Sequence, residues 1–343
     1  MNKFKQLLLV LLAVSISACF PSNNSGKTEI LLQGRTMGTT YNIKVVATLK
    51  QLEALKLQQK IDDALKQVNQ EMSTYIADSE ISRFNQSTSL DPIEVSDGFA
   101  RVLQESIRIG ELSGGKLDIT VGPLVNLWGF GPELRPEKAP SDELLAATHA
   151  RVGLTNLHLN AKQLSKDIPN LYVDLSTTAK GYGVDVVAEL IEANGITNYL
   201  VEIGGEMRLR GFKHTGELWA IAIEKPILDP SGEQRAIQQV IIPKDNAVAT
   251  SGDYRNYFEA DGQRFSHIID PQTGKPINHN LVSVTVIAPS SMTADGLSTA
   301  LMVMGTEQGM KFAVKHELAA LFISKTEHGF TEQFTVKFKQ YLK

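Results

Sequence analysis

The sequence predicts an α+β fold, and three observations carry that prediction. Strand and helix signals alternate irregularly, with no strict βαβ rhythm. Two β-rich runs, 30–32 and 40–46, flank Gly34 and Gly38 as the arms of a hairpin would. Late in the chain, Leu281–Ala288 alternates apolar with small or polar residues. It passes through Pro289 and two serines into a helical pattern that begins near Thr293.

The first residues read as a leader. Lys3 and Lys5 precede an apolar run over 7–16, too short to span a bilayer and the length of a signal-peptide core. The run ends Ile16-Ser17-Ala18-Cys19, which resembles the bacterial lipobox. That resemblance implies a signal peptide over 1–18, a lipid on Cys19, and attachment at the periplasmic face of a bacterial membrane. Cys19 is the only cysteine, so an exported chain has no internal disulfide for it to join. The polar stretch 20–27 reads as a tether, so 19–28 connects the anchor to a domain over 29–343. Phe20 stands where an aspartate would signal inner-membrane retention, and the sequence leaves inner against outer membrane open.

The remaining elements follow in order. Residues 52–72 form a helix with Ile61, Leu65, Val68 and Met72 as its apolar stripe. Residues 99–112 form another, ended by Gly114-Gly115. Strands are expected over 171–174, 199–203, 218–223 and 238–242, and a helix over 181–193 ended by Asn194-Gly195. Strands over 319–323 and 334–338 close the chain. The late helix carries Leu297, Leu301 and Met304 on one side.

Composition excludes several function classes. With 34 Lys and Arg against 38 Asp and Glu, interspersed, no basic stripe suggests nucleic acid. The histidines are few and scattered, without HExxH or Cys-His zinc spacing. Neither GxGxxG nor the Walker A pattern occurs, so the two common phosphate loops are missing.

Several short stretches are built for ligands. Asp295 and Thr299 lie four apart on one helical face, a carboxylate and a hydroxyl of the hard-oxygen kind that Mg²⁺ accepts. Taken alone, the pair reads equally as a first-turn helix charge and a packing hydroxyl, which is the commoner case. Met37, in Gly34–Tyr41 of GRTMGTTY, is a soft side chain suited to a flat ring or to a core. Tyr75 follows the first long helix and offers a ring face and a hydroxyl, though such a tyrosine is more often half-buried. Ser79 fits the cap of a short helix.

Lys116, Leu117 and Asp118 precede a Gly-Pro break where loops gather polar ligands, and Trp128 reads as core. In Asp174-Leu175-Ser176-Thr177-Thr178-Ala179-Lys180-Gly181, small residues let backbone approach a ligand, Lys180 is placed to offset phosphate charge, and Asp174 to take ligand hydroxyls or amines. A plain strand-to-helix turn explains the same residues equally well. Gly204-Gly205 offers a second close approach. His267 precedes Ile268-Ile269-Asp270-Pro271-Gln272-Thr273-Gly274, whose turn chemistry puts a candidate general base at a strand end.

Together these stretches resemble the FAD:protein FMN transferases of the ApbE-like family. The marks are MGT-x-Y, MS-x-Y with S-E-x-S-R-x-N, D-x-TVGPL with WGFG, D-x-x-x-x-x-KGY, a Gly-Gly strand end, SH-I-x-DP-x-TG-x-P, and A-D-x-x-x-T. All seven occur in order between Met37 and Gly305. The resemblance implies a fold related to the tunnelling-type (T-fold) architecture, with FAD in a cleft. It implies Mg²⁺-dependent transfer of the FMN moiety of FAD to a threonine or serine hydroxyl of a target flavoprotein, with release of AMP. By position, Met37, Tyr75, Lys116, Leu117, Asp118, Asp174, Lys180 and Ile269 would contact FAD, and Thr177, Asp295 and Thr299 would hold Mg²⁺. His267 and Asp295 are the candidate bases. Implied acceptors are subunits of the sodium-pumping NADH:quinone oxidoreductase and of the Rnf complex. Many relatives carry Gly-Ala where this chain has Ser176-Thr177, which is harmless if residue 177 offers its carbonyl to the metal. Two other readings use the same residues: an FAD pyrophosphatase giving FMN and AMP, and a non-catalytic FAD-binding lipoprotein.

Overall fold

The computed structural model describes residues 26–131, 139–227, 236–253, 257–260 and 263–343. The leader and Cys19 lie outside the described residues. Eight strands form one antiparallel sheet, in the spatial order Thr28–Thr36, Thr39–Ala47, Tyr199–Ile203, Glu206–Arg210, Ala247–Gly252, Leu281–Ala288, Ala319–Thr326, Gly329–Phe334. Nine helices are described: α1 (Leu49–Leu55), α2 (Leu57–Met72), α3 (Glu80–Gln86), α4 (Asp97–Leu112), α5 (Gly122–Leu127), α6 (Asp142–His149), α7 (Ala179–Ala193), α8 (Ser291–Lys315) and α9 (Val336–Lys339). The expected α+β class is what the chain adopts. No described helix is long and apolar enough to cross a membrane.

Alternation along the strands divides the core. Val45 and Ala47 face α2 and α7, while Val46 between them faces away. Val284 and Val286 face α8, and Ile287 packs with Trp219, Ile221 and Phe338 on the other side. Helices α2, α7 and α8 therefore cover one face. The paired strands Ile221–Glu224 and Ile237–Ile241, with α9, cover part of the other. Leu281–Ala288 is buried on both faces, although its sequence alternates. Its polar members explain this: Thr285 bonds across to Thr250 at 2.9 Å and needs no water.

Several elements differ from expectation for local reasons. Gly34 does not break the first hairpin. It lies within the first strand, where a Cβ would overlap the Tyr41 ring. The turn is Met37-Gly38, both at positive φ (49° and 71°), which matches the twist of the flanking strands. The expected helix over 52–72 is two helices, because Lys56 sits at φ 49°, ψ 43° and caps α1 while starting α2. Residues 171–174 form no strand. Asn85 supplies the missing ladder, taking the Val173 N–H and donating to its carbonyl, each at 2.8 Å. Residues 334–338 are not a strand either. Gly329–Phe334 pairs instead, and the chain then turns into α9. Ser79 and Ser290 cap α3 and α8 through the N–H groups of Ser82 and Thr293.

Candidate active site

Helices α7 and α8 cross closely at their N-terminal ends. Gly181 allows it, because a Cβ there would overlap the Ser291 carbonyl. The approach lets the Gly181 N–H donate to Asp295 Oδ2 at 3.0 Å. One turn further along α7, Asp185 is fully buried. It accepts from the Ser290 hydroxyl (2.7 Å) and from the Ser291 and Met292 N–H groups (3.0 and 2.9 Å), and pairs with Arg208 at 3.0 Å. A carboxylate thus satisfies the open donors of the α8 N-terminus and fixes where Asp295 lies.

Around Asp295 the charges are dense, and two carboxylates among them are buried. Its side chain is 4% exposed, and Lys180 Nζ lies 3.5 Å from Oδ1. The same ammonium lies 2.8 Å from Glu206 Oε1, on a side chain 6% exposed. Burial pushes the Asp295 carboxyl up to about 7; Lys180 pulls it back and Glu206 adds to the rise. Burial works against the Lys180 ammonium, but Asp295 and Glu206 outweigh it and hold its pKa above the ordinary lysine value. Thr299 continues the site one turn on, with Ser251 Oγ 3.2 Å from its hydroxyl and 2.7 Å from that of Ser298.

These groups form part of the wall of a cleft of about 1050 Å³. Tyr75, Lys116, Leu117, Asp118, Asp174, Thr177, Lys180, His267, Ile269, Asp295 and Thr299 all line it. The turn before α7 is held from both sides: Asp174 N–H donates to the Ile119 carbonyl at 2.7 Å, and Asp174 Oδ1 accepts from Ser176 N–H at 2.8 Å. Lys116 pairs with Asp270 at 3.1 Å, which ties the 116–118 loop to the Asp-Pro turn. Trp128 is core, as expected, and donates to the Gly274 carbonyl at 2.9 Å. His267 follows the strand Gln263–Ser266, with its ring 6.3 Å from that of Phe130. Tyr75 is 75% exposed at the cleft.

Two expected FAD contacts make protein contacts of their own. Met37 is not among the cleft-lining residues; a Cβ on Gly183 would sit 2.7 Å from its Cε, so it packs on α7. Asp118 lines the cleft but spends its carboxylate locally, accepting from Thr120 N–H and Oγ1 and from Leu154 N–H. Sequence reading missed Glu206, Asp185 and Ser251. Glu206 directly follows Gly204-Gly205, both at positive φ, which was the available signal. Nothing local marked Asp185, whose partners at the start of α8 lie more than 100 residues away.

The donor set fits a hard divalent cation. Thr177 Oγ1 is buried without a hydrogen-bond partner in the cleft wall, and the Asp295 carboxylate and Thr299 hydroxyl face the same space. Among the described residues no three His, Cys, Asp or Glu side chains group as metal ligands, so one carboxylate with neutral oxygens is the set available.

Comparison with known proteins places the chain in a family. Residues 37–322 match the ApbE family. The chain is 56% identical over 314 residues to the FAD:protein FMN transferase of Vibrio cholerae, covering 92% of this chain and 93% of that protein. It is 48% identical to the Haemophilus influenzae protein of the same name, covering 97% of this chain and 96% of that one. The solved flavin transferase ApbE from Vibrio cholerae superposes with a TM-score of 0.85 at 54% identity, over 92% of this chain and 100% of that one. The apo flavinyl transferase ApbE of Pseudomonas stutzeri gives 0.84 at 38% identity, over 92% and 97%. By the extent of these matches, the chain belongs to the ApbE family.

Proposed function

We propose that this protein transfers the FMN moiety of FAD to a serine or threonine hydroxyl of an acceptor flavoprotein and releases AMP, using Mg²⁺ held by Thr177, Asp295 and Thr299. One observation carries the reading. The buried Asp295, the unpartnered Thr177 hydroxyl and Thr299, from two separate segments, share a cleft with Tyr75, Lys116, Asp174, Lys180 and Ile269. At about 1050 Å³ the cleft lies at the upper end of the size range for small-molecule sites, as a dinucleotide requires. The names of the 56% and 48% identical relatives support the same activity.

In the reaction the acceptor oxygen bonds to the FMN-side phosphorus of the pyrophosphate, the bond from that phosphorus to the bridging oxygen breaks, and AMP leaves. The hydroxyl proton passes to a base. His267 lines the cleft, and an imidazole there can take that proton. Asp295 serves it less well, because a carboxylate that holds a cation is a weaker base. Its role is to anchor the cation. Bound Mg²⁺ supplies neutralisation of the phosphate oxygens and alignment of the leaving group. Lys180 places a positive charge beside the phosphates, and Lys116 and Asp174 line the same cleft as further FAD contacts.

The leader and lipobox support anchoring through Cys19 at the periplasmic face of a bacterial membrane. That location suits acceptor subunits of a sodium-pumping NADH:quinone oxidoreductase or an Rnf complex. The test combines mature protein, FAD, Mg²⁺ and such a subunit, and reads flavin fluorescence on the denatured acceptor. Fluorescence is expected, and is lost with a chelator. Asp295→Ala is expected to abolish it with the circular dichroism spectrum unchanged; unimpaired transfer by that variant removes Asp295 from the mechanism. AMP released at the same rate without acceptor would make the protein an FAD pyrophosphatase instead.

A further inference from the structure

Lys180 stands between two buried carboxylates, and only one of them belongs to the cation site proposed above. The ammonium is 2.8 Å from Glu206 Oε1 and 3.5 Å from Asp295 Oδ1. A divalent cation and an ammonium cannot comfortably share one carboxylate, since like charges a few ångströms apart repel strongly where water is scarce. Lys180 must therefore have somewhere else to go when a cation takes Asp295. Glu206 Oε2 is buried in the cleft wall and has no hydrogen-bond partner, which is unusual for a carboxylate oxygen. It lies on the same carboxylate that already holds Lys180.

We propose that Glu206 is a positioning residue that draws the Lys180 ammonium off Asp295 when a divalent cation occupies that carboxylate, and this rests on the cation reading of the site. The ammonium then donates to both Glu206 oxygens, and Oε2 gains the partner it lacks. The surroundings keep Glu206 for this task. It opens the strand Glu206–Arg210, directly after the two-glycine turn, and is paired in register with Ile203. Arg208, next on the same strand face, spends its guanidinium on Asp185 and Glu192, at 3.0 and 3.6 Å. Without the Glu206 charge, Lys180 has Asp295 as its remaining ion-pair partner and competes with the cation directly.

A double-mutant cycle tests this through binding alone, with Mn²⁺ as the probe and the paramagnetic resonance of free Mn²⁺ as the readout, on mature protein without FAD. Wild type is expected to bind and Asp295→Ala to fail. Glu206→Gln, which preserves shape, is expected to weaken binding about tenfold or more when Lys180 is present, and less than about twofold in a Lys180→Gln background. That non-additivity separates competition by Lys180 from a simple loss of negative charge, which would weaken binding by the same factor in both backgrounds. Equal factors overturn the proposal while leaving the cation site standing. A wild type that binds no Mn²⁺ overturns the cation reading and this inference with it. Should Glu206→Gln fold poorly, Glu206→Asp, which keeps the charge but shortens its reach, is expected to give a smaller loss that again vanishes in the Lys180→Gln background; persistence of that loss there also overturns the proposal.

Discussion

Thr177 lines the cleft and carries two oxygens, its backbone carbonyl and a hydroxyl that is buried without a partner. A buried hydroxyl that makes no hydrogen bond contributes nothing to offset its desolvation. Thr177→Val, which keeps the shape and removes the oxygen, is therefore expected to leave the thermal midpoint unchanged or raised in a melting experiment. The same variant divides the two donors. Transfer that survives the change assigns the cation contact to the carbonyl, and transfer that is lost assigns it to Oγ1. Residue identity decided much at this scale: Asp295 and Thr299 were legible as polar groups at helical spacing, and Lys180 as a charge in a turn of small residues. Asp118 was legible as a loop carboxylate, but its use by Thr120 and Leu154 was not, because one of those partners lies 36 residues on.

Among elements, the junction of α7 and α8 matters most to the site. Asp185 holds the first turn of α8 with three acceptor contacts and neutralises Arg208. Asp185→Asn turns one oxygen into a donor facing N–H donors and leaves Arg208 without its buried partner. The expected cost is on the order of 3 kcal/mol in urea unfolding. Transfer is expected to fall with it, because Asp295 directly follows the turn that Asp185 fixes. Most helices were legible from their apolar stripes and caps, since those signals repeat within a few residues. The division of α1 from α2 at Lys56 was not, because a lysine carries no mark of a left-handed backbone. Residues 171–174 read as a strand for a similar reason. They make strand-like hydrogen bonds, but to the Asn85 side chain and the Ile119 backbone.

For the whole molecule, two buried tyrosines make stability depend on alkaline pH. Burial first, and then the hydrogen bond to Asp62, pushes the Tyr41 hydroxyl up to about 12. Tyr199 is raised as well, by burial and then by Glu192. An unfolded tyrosine ionises near 10, so folding favours the neutral form. This contribution is whole below about pH 10 and is lost as pH rises through about 12. Thermal midpoints measured between pH 9 and 12 are expected to fall across that window, and to fall less steeply in Tyr41→Phe. A Tyr41→Phe profile parallel to wild type would remove Tyr41 as a source of the loss.

The sequence by itself determined the fold class, most helices and their caps, and the ordered set of motifs that marks the family. These properties are local: periodicity, capping and turn chemistry act over a few residues, and a motif needs only its own spacing. Tertiary structure alone decided which polar groups meet. It put Glu206 beside Lys180, Asp185 under the start of α8, Ser251 against Thr299, and Met37 on Gly183 outside the cleft wall. Buried charges find partners across whatever distance in sequence the fold happens to close, so no reading of neighbours along the chain could have paired them.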